Sequence, residues 1–380
     1  MRIVRLGDVC DVLGGKRIPK GEKLSDAATN HPYIRVSDFD GAGGVSTSSL
    51  KYVPDKVWGQ ISRYTISKDD VFLSIAGTIG VTGLIPDELD GANLTENACK
   101  LVIKSDLDKK YLYYFTLSTS FRSQTVAGIK QTAQPKLALA RIKDIRIPLP
   151  PLEEQRRIVA RLDAAFEKIS AAEVLTRQNL DNVSALQKSI LHKYLSTSDT
   201  TSKLADVCQE IFAGGDVVKS RTSKTITENF TLPVYTNGEK NNGLYGFTDM
   251  VRVNKPSVTV SARGTIGFSA VRKEPFYPAV RLIVLTPDTS KLDVEYLDYA
   301  IKTLTIDNTG TSIPQLTVPM IKEYSVSLPS IDTQRKIVGI LNAANEKISK
   351  LELKYTEKLT KLAGLRQSLL AEAFSTTNTV

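Results

Sequence analysis

Residues 148–170 read PLPPLEEQRRIVARLDAAFEKIS, and residues 327–349 read SLPSIDTQRKIVGILNAANEKIS. Gln155 aligns with Gln334, and Ser196 with Ser375, at one offset of 179 residues and without a gap. Both copies have a proline at the helix start, Pro150 and Pro329, and then place apolar residues in steps of four and three. In the first copy these are Ile158, Leu162, Ala165, Ile169, Ala172, then Val183, Leu186 and Ile190. In the second they are Ile337, Leu341, Ala344, Ile348, Leu351, then Leu362, Leu365 and Leu369. This is an a/d seam sustained for about six heptads. With no internal proline, each copy predicts one helix of about 44 residues, about 66 Å long at 1.5 Å per residue.

A helix of that length with a narrow apolar stripe has too little apolar face for a small globular core, and its natural partner is its own duplicate. Thr176 and Asn179 in the first copy, and Tyr355 and Lys358 in the second, interrupt the seam near its middle. Polar seam positions lower stability while fixing register and strand number. The alternative is two unrelated helices, each packed on a neighbouring domain. The gapless repeat of equal length argues for a pair.

The chain has 380 residues, 41% of them hydrophobic, enough for more than one core. Its net charge of +9 and pI near 9.2 favour an acidic partner, nucleic acid first. Cys10, Cys99 and Cys208 form no CxxC pair, and an odd count suits a reducing, cytoplasmic setting. Met1–Arg5 runs directly into Gly7–Asp8, so no signal peptide is expected, and no apolar run is long enough for a membrane span.

Ahead of the first helix, KYVPDKVWG, VFLSIAGTIGVTGLI and CKLVIKS read as short strands between turn residues. KKYLYYFTLSTSFRSQTV reads as a helix with an aromatic inner face, and STSDTTS (196–202) as a linker. The block after the linker repeats the first in order. RLGDVCDVLGG at Arg5 matches KLADVCQEIFAGG at Lys203, and SIAGTIGVTG at Ser74 matches SARGTIGFSA at Ser261. YLYYF at Tyr111 matches YLDYA at Tyr296, and PKLALARIKDIRIPLP at Pro135 matches PQLTVPMIKEYSVSLP at Pro314. The expected architecture is α+β, a tandem duplication of a mixed α/β module and a long helix. The modules span 1–150 and 197–329, and the helices span 151–196 and 330–380. The loops between matched strands diverge most, as expected for two related modules that read different things.

Catalytic signatures fail one by one. There is no GxxxxGK[ST] loop, no GxGxxG after a strand, and no Asn/Asp-Pro-Pro-Tyr/Phe motif for gripping a flipped base. Pro86–Asp87 lacks the downstream Glu-x-Lys of a nuclease metal site. His31 and His192 lie far apart and read as ordinary surface residues, and Cys10 and Cys208 as small buried side chains. No catalytic and no metal-ligating residue is expected.

The DNA-contact candidates lie in loops. In the first module they are Lys16, Arg17, Lys20, Lys23 and Arg35; in the second, Lys219, Arg221, Lys224, Asn237, Lys240, Asn241 and Asn242. Lys and Arg suit phosphates, whereas Arg and Asn pair bidentately with base edges. The two GTIG turns add Gly77, Thr78 and Gly80, then Arg263, Gly264, Thr265 and Gly267. Two readings stay open for these turns: a tight strand-to-strand reversal, or close backbone approach to a phosphate.

The duplicated PLPPLEEQ-type helix start, the long helix after it, the GTIG turns and the alternation of module and helix resemble the specificity (S) subunits of type I DNA restriction–modification systems. The resemblance covers essentially the whole chain; SLPSIDTQ is a degraded second copy of its most specific motif. It implies two target-recognition domains, each reading one half of a split double-stranded DNA site, in a system of phage defence. It also implies antiparallel pairing of the two helices as spacer and docking surface for two modification subunits. Those partners hold S-adenosylmethionine and methylate adenine, so this chain has no cofactor of its own, and restriction subunits can add ATP-driven cleavage. A stand-alone architectural DNA-binding adaptor is the alternative from another class, and a methyltransferase with a highly divergent cofactor site is a third.

Overall fold

The computed structural model describes residues 2–104, 106–127, 135–196, 200–306 and 315–375. The linker expected at 196–202 lies partly outside these residues. The long helices occupy Leu152–Leu195 and Ile331–Ala373. Pro151 and Pro329 precede them, and Glu153, Glu154 and Asp332 fall in their first turns, where acids meet the positive end of the helix dipole.

The chain divides into two compact units, Met1–Thr176 with Glu357–Val380, and Arg177–Thr356. Each unit therefore takes half of each long helix, and both divisions fall at the polar stretch of the seam.

In the first unit an antiparallel sheet orders its strands Cys10–Gly14, Ala98–Ile103, Val71–Ser74, Thr82–Leu84. A second sheet runs Lys51–Tyr52, Pro32–Ile34, Ala92–Leu94, Thr65–Ile66, with its middle pair parallel. Arg2–Arg5 pairs antiparallel with Arg146–Leu149, returning the chain to the start of the long helix. The main core joins Val71, Leu73 and Leu101 of the first sheet to Tyr111, Leu112 and Phe115 of the helix Lys109–Leu117. Val159, Leu162, Phe166 and Ile169 of the first long helix complete it, with Leu370 and Phe374 from the end of the second. The Phe374 ring lies 5.0 Å from Tyr111 and 5.4 Å from Phe115. Arg161 bonds Glu372 at 2.6 Å and Arg366 bonds Ser170 at 3.1 Å, so partner numbers fall as the first helix rises. The helix segments in this unit are antiparallel.

The second unit repeats the plan. Its first sheet orders Cys208–Ala213, Leu282–Pro287, Ser257–Ser261, Ser269–Arg272, and its second Thr222–Ser223, Leu244–Thr248, Leu232–Tyr235, Tyr277–Pro278. Thr201–Lys203 pairs with Ser325–Ser327. Leu195, Ile337, Val338 and Leu341 of the long helices pack on Tyr296, Leu297 and Ile301, and Gln187 bonds Asn345 at 3.2 Å.

One side chain fixes each helix start to its module. Gln155 is fully buried; its Nε2 donates to the carbonyls of Asp106 and Pro150, both at 2.8 Å, and its Oε1 accepts the Asp108 N–H at 2.8 Å. Gln334 repeats this with Lys291, Pro329 and Asp293 at 2.9, 2.8 and 2.8 Å. Asp108 and Asp293 are themselves N-caps, of Lys109–Leu117 and Val294–Thr303. Buried donors and acceptors are costly unless paired, so the invariant spacing of this glutamine from the proline has a structural cause.

The seam departs from the sequence pattern in detail. Leu162, Ile169, Val183, Ile337, Leu341 and Ile348 are buried, and Ile158, Ala165, Ile190, Ala344, Leu362 and Leu369 partly so. Leu186, Leu351 and Leu365 are instead exposed, at 50%, 38% and 48%. Val159, Phe166 and Leu370 take buried positions that the strict heptad omits, and the polar seam residue Thr176 is fully buried. A straight α-helix drifts about 20° per heptad against a 3.5-residue repeat, and the helix ends turn toward module cores rather than only toward each other.

Candidate nucleic-acid interface

In the first module the chain leaves Cys10–Gly14 through Gly15, whose missing Cβ would sit 2.2 Å from the Leu94 carbonyl oxygen. Gly214 repeats this against the Ala279 carbonyl oxygen at 2.0 Å, which explains one glycine of the Gly-Gly pair in each repeat. The tight passage pins the next residue: Lys16 N donates to Leu94 O at 2.8 Å, and the Tyr33 hydroxyl donates to Lys16 O at 2.9 Å. The Lys16 side chain then points outward, with Nζ 5.8 Å from the Tyr64 ring centroid, and the Arg63 guanidinium lies 5.0 Å from the same ring. Tyr64, Arg63, Lys100, Thr65, Leu13 and Gly14 line a hollow of about 310 Å³ there. Exposed Arg17 bonds Glu96 beside it at 2.5 Å. A basic and aromatic patch of this kind suits phosphates and unpaired base faces. Arg63, Tyr64 and Lys100 escaped the sequence reading; the basic–aromatic dipeptide in ISRYTIS was its available signal. Lys20 and Lys23 are exposed on the following loop.

Arg35, read as a DNA contact, is engaged within the module. It bonds fully buried Asp38 at 3.0 and 2.6 Å and the Ser49 carbonyl at 2.6 Å, bracing the loop between those residues. Burial tends to lower its pKa, but the Asp38 bond is the larger effect and raises it.

The GTIG turns are built alike. Gly77, Gly80, Gly264 and Gly267 have φ of 73°, 93°, 72° and 85°, in the left-handed region where glycine is favoured. Gly80 N donates to Ser74 O at 3.0 Å, as Gly267 N does to Ser261 O at 3.0 Å. Backbone conformation thus accounts for the glycines, while Thr78 and Thr265 stand exposed at the tips. Arg263 is turned onto Gln315, donating at 3.0 and 2.7 Å.

In the second module Lys219 and Arg221 lie on an exposed turn; Arg221 grips Asp249 with contacts of 2.7 to 3.1 Å, and that bond holds the Asp249 carboxyl below its usual range. Lys224 Nζ sits 3.4 Å from the Tyr245 ring centroid. Lys240, Asn241 and Asn242 form an exposed turn leading into Leu244–Thr248, so they, Leu244, Tyr245 and Lys224 share one edge. Asn237 does not join them: its Oδ1 accepts the Ala262 N–H at 2.7 Å and its Nδ2 donates to Val280 O at 3.2 Å.

Elsewhere, His31 stacks on Trp58 with centroids 4.3 Å apart, its Nε2 3.4 Å from Asp55. Burial pushes the Cys10, Cys99 and Cys208 thiols up to about 12, far from nucleophilic at neutral pH. Among the described residues no helix is long and apolar enough to cross a membrane.

The type I restriction modification DNA specificity domain matches this chain twice, at residues 1–178 and 199–361. A protein of Mycoplasma pneumoniae assigned as a type I specificity subunit, S.MpnORF507P, is 30% identical over 352 residues, 90% of this chain and 88% of that protein. The EcoKI specificity subunit of Escherichia coli is 27% identical over 186 residues, 45% of this chain and 38% of its own. A chain of a type I R-M system, solved for its complex assembly and conformational transition, superposes with TM-score 0.80 at 22% identity, covering 98% of this chain and 97% of that one. The HsdS subunit from Thermoanaerobacter tengcongensis gives TM-score 0.58 at 22% identity over 99% and 96%. The tandem matches retrace the duplication found in the residues, and the chain belongs to the type I restriction–modification DNA specificity family, as a specificity subunit with two specificity domains.

Proposed function

We propose that this chain selects the DNA target for chemistry carried out on other chains. Each module reads one half of a bipartite double-stranded site, through the Lys16–Tyr64 patch in the first and the Lys224–Tyr245 edge in the second. Two modification subunits dock, one on each repeat, bring S-adenosylmethionine and methylate adenine; restriction subunits can join them. The chain itself holds no cofactor and no catalytic group, and it works in the cytoplasm. The observation that carries this reading is the pairing of one duplicated scaffold with unlike exposed loops, each rich in Lys, Arg or Asn. Two weak readers joined in one chain multiply their affinities.

Reconstitution tests it. The purified chain with S-adenosylmethionine should leave DNA unmethylated, and adding its modification subunit should produce sequence-specific adenine methylation. Methyl transfer by the chain alone would overturn the division of labour.

A further inference from the structure

Arg272 ends the strand Ser269–Arg272 and is only 4% exposed. Among the described residues no carboxylate lies within ion-pair distance of it. Its guanidinium stacks over Tyr235, 3.6 Å from the ring centroid. Nε donates to Thr259 Oγ1 at 3.1 Å, and Nη2 donates to the backbone carbonyl of Asn242 at 2.7 Å. A buried, unpaired cation is expensive, and the scaffold does not demand it. Carried two residues past the gapless match of SIAGTIGVTG to SARGTIGFSA, the same offset puts Ile85, also buried, at the equivalent position in the first module.

What differs between the modules is the loop above. In the second module Asn241 and Asn242 both adopt left-handed backbone, with φ of 51° and 54°, followed by Gly243 at 76°. Consecutive left-handed residues are uncommon even for asparagine and persist only where their surroundings hold them. Thr236 N donates to Gly243 O at 2.8 Å and Asn242 N to Glu239 O at 2.9 Å, which closes the turn from one side. The Asn242 carbonyl faces inward, and Arg272 is the donor that meets it. The first module secures its corresponding loop differently, through Arg35 and Asp38.

We propose that Arg272 is a positioning residue for target selection: braced on Tyr235, it holds the Lys240–Gly243 turn so that the Asn241 and Asn242 amides reach base edges of the second half-site. The inference rests on the second module being a DNA reader. An asparagine amide pairs bidentately with adenine, and each such pair contributes about 5- to 150-fold discrimination against the wrong base. That discrimination needs a fixed amide, so a loosened turn keeps phosphate affinity and loses selectivity.

The test uses the full chain with its modification subunit, methylating DNA libraries randomised in one half-site at a time; exchange of the whole second module identifies which half it reads. Asn241→Gly with Asn242→Gly keeps the backbone conformation and removes the amides. Arg272→Ile installs the first module's residue, and Arg272→Lys keeps the charge without the planar face and directed fork. Base preference within the second half-site should flatten by about tenfold in the glycine pair and in Arg272→Ile. Arg272→Lys should lie between these and the parent, with first-half preference unchanged in all three variants. Flattening in the glycine pair with parental selectivity in both folded Arg272 variants overturns the positioning role and leaves the module a reader. Parental selectivity in every variant overturns the turn assignment. A module exchange that alters neither half-site overturns the underlying reading of the module itself.

Discussion

The side-chain oxygen of Gln155 accepts the backbone N–H of Asp108 at 2.8 Å, and Gln334 makes the same bond to Asp293 at 2.8 Å. In both modules, therefore, the first turn of the long helix is bonded to the N-cap of the module's aromatic helix. Gln155→Ala would remove the partner of the Asp108 N–H and of the Asp106 and Pro150 carbonyls; the Pro150 contact is buried and the other two lie nearer solvent. At about 1–3 kcal/mol for the buried group and less for the other two, the substitution should cost about 3 kcal/mol. A fall in melting temperature of about 6–12 °C follows for a unit of this size, read by calorimetry, with Gln334→Ala giving a similar loss.

Phe374 lies within 5.4 Å of Phe115 and 5.0 Å of Tyr111 and is 3% exposed. Phe374→Ala should destabilise the first unit by about 3–5 kcal/mol through loss of burial and the cavity left behind. Denaturant unfolding measures the loss, and limited proteolysis should show faster cleavage near the end of the chain.

Lys16→Ala with Arg17→Ala should weaken binding to all DNA sequences alike. Lys16 should account for about 0.9 of the fall in the log–log salt slope, and Arg17 for less, because Glu96 already holds that guanidinium. Lys219→Ala should lower it by about 0.9. Arg221→Ala should do less, because Asp249 already holds that guanidinium. Filter binding across a salt series reads all three.

Maleimide at pH 7 should leave Cys10, Cys99 and Cys208 unlabelled in the folded chain, since burial holds all three thiols protonated up to about 12. Unfolding should release three labels. Mass spectrometry counts them.

The duplication made the architecture legible before any coordinates, because a gapless repeat constrains helix, module and order together. Its fine detail was not legible. Leu186, Leu351 and Leu365 fit the heptad yet stand exposed, while Phe166 and Leu370 turn into the first unit's core. A linear pattern records spacing along one helix but not the module surface that competes for its ends. Contact residues were harder still, since residue type announces a chemistry and leaves its partner open. Arg35, Asn237 and Arg263 carry the right groups and spend them on Asp38, Ala262 and Gln315. Arg35-x-x-Asp38 offered a local hint, whereas the Asn237 and Arg263 partners lie 25 or more residues away in sequence. Arg272 gave no sign of its place under the Asn241–Asn242 turn, because that contact spans 30 residues of sequence.

Exchange of the second module tests the division into two readers most directly. Residues 197–329 are replaced by the matching segment of another family member, and the hybrid is expressed with the modification subunit in a host lacking adenine methylation at the site. Methylome sequencing should show a bipartite motif with one half new and the other half parental. A motif unchanged in both halves, or altered in both, would contradict two independent half-site readers.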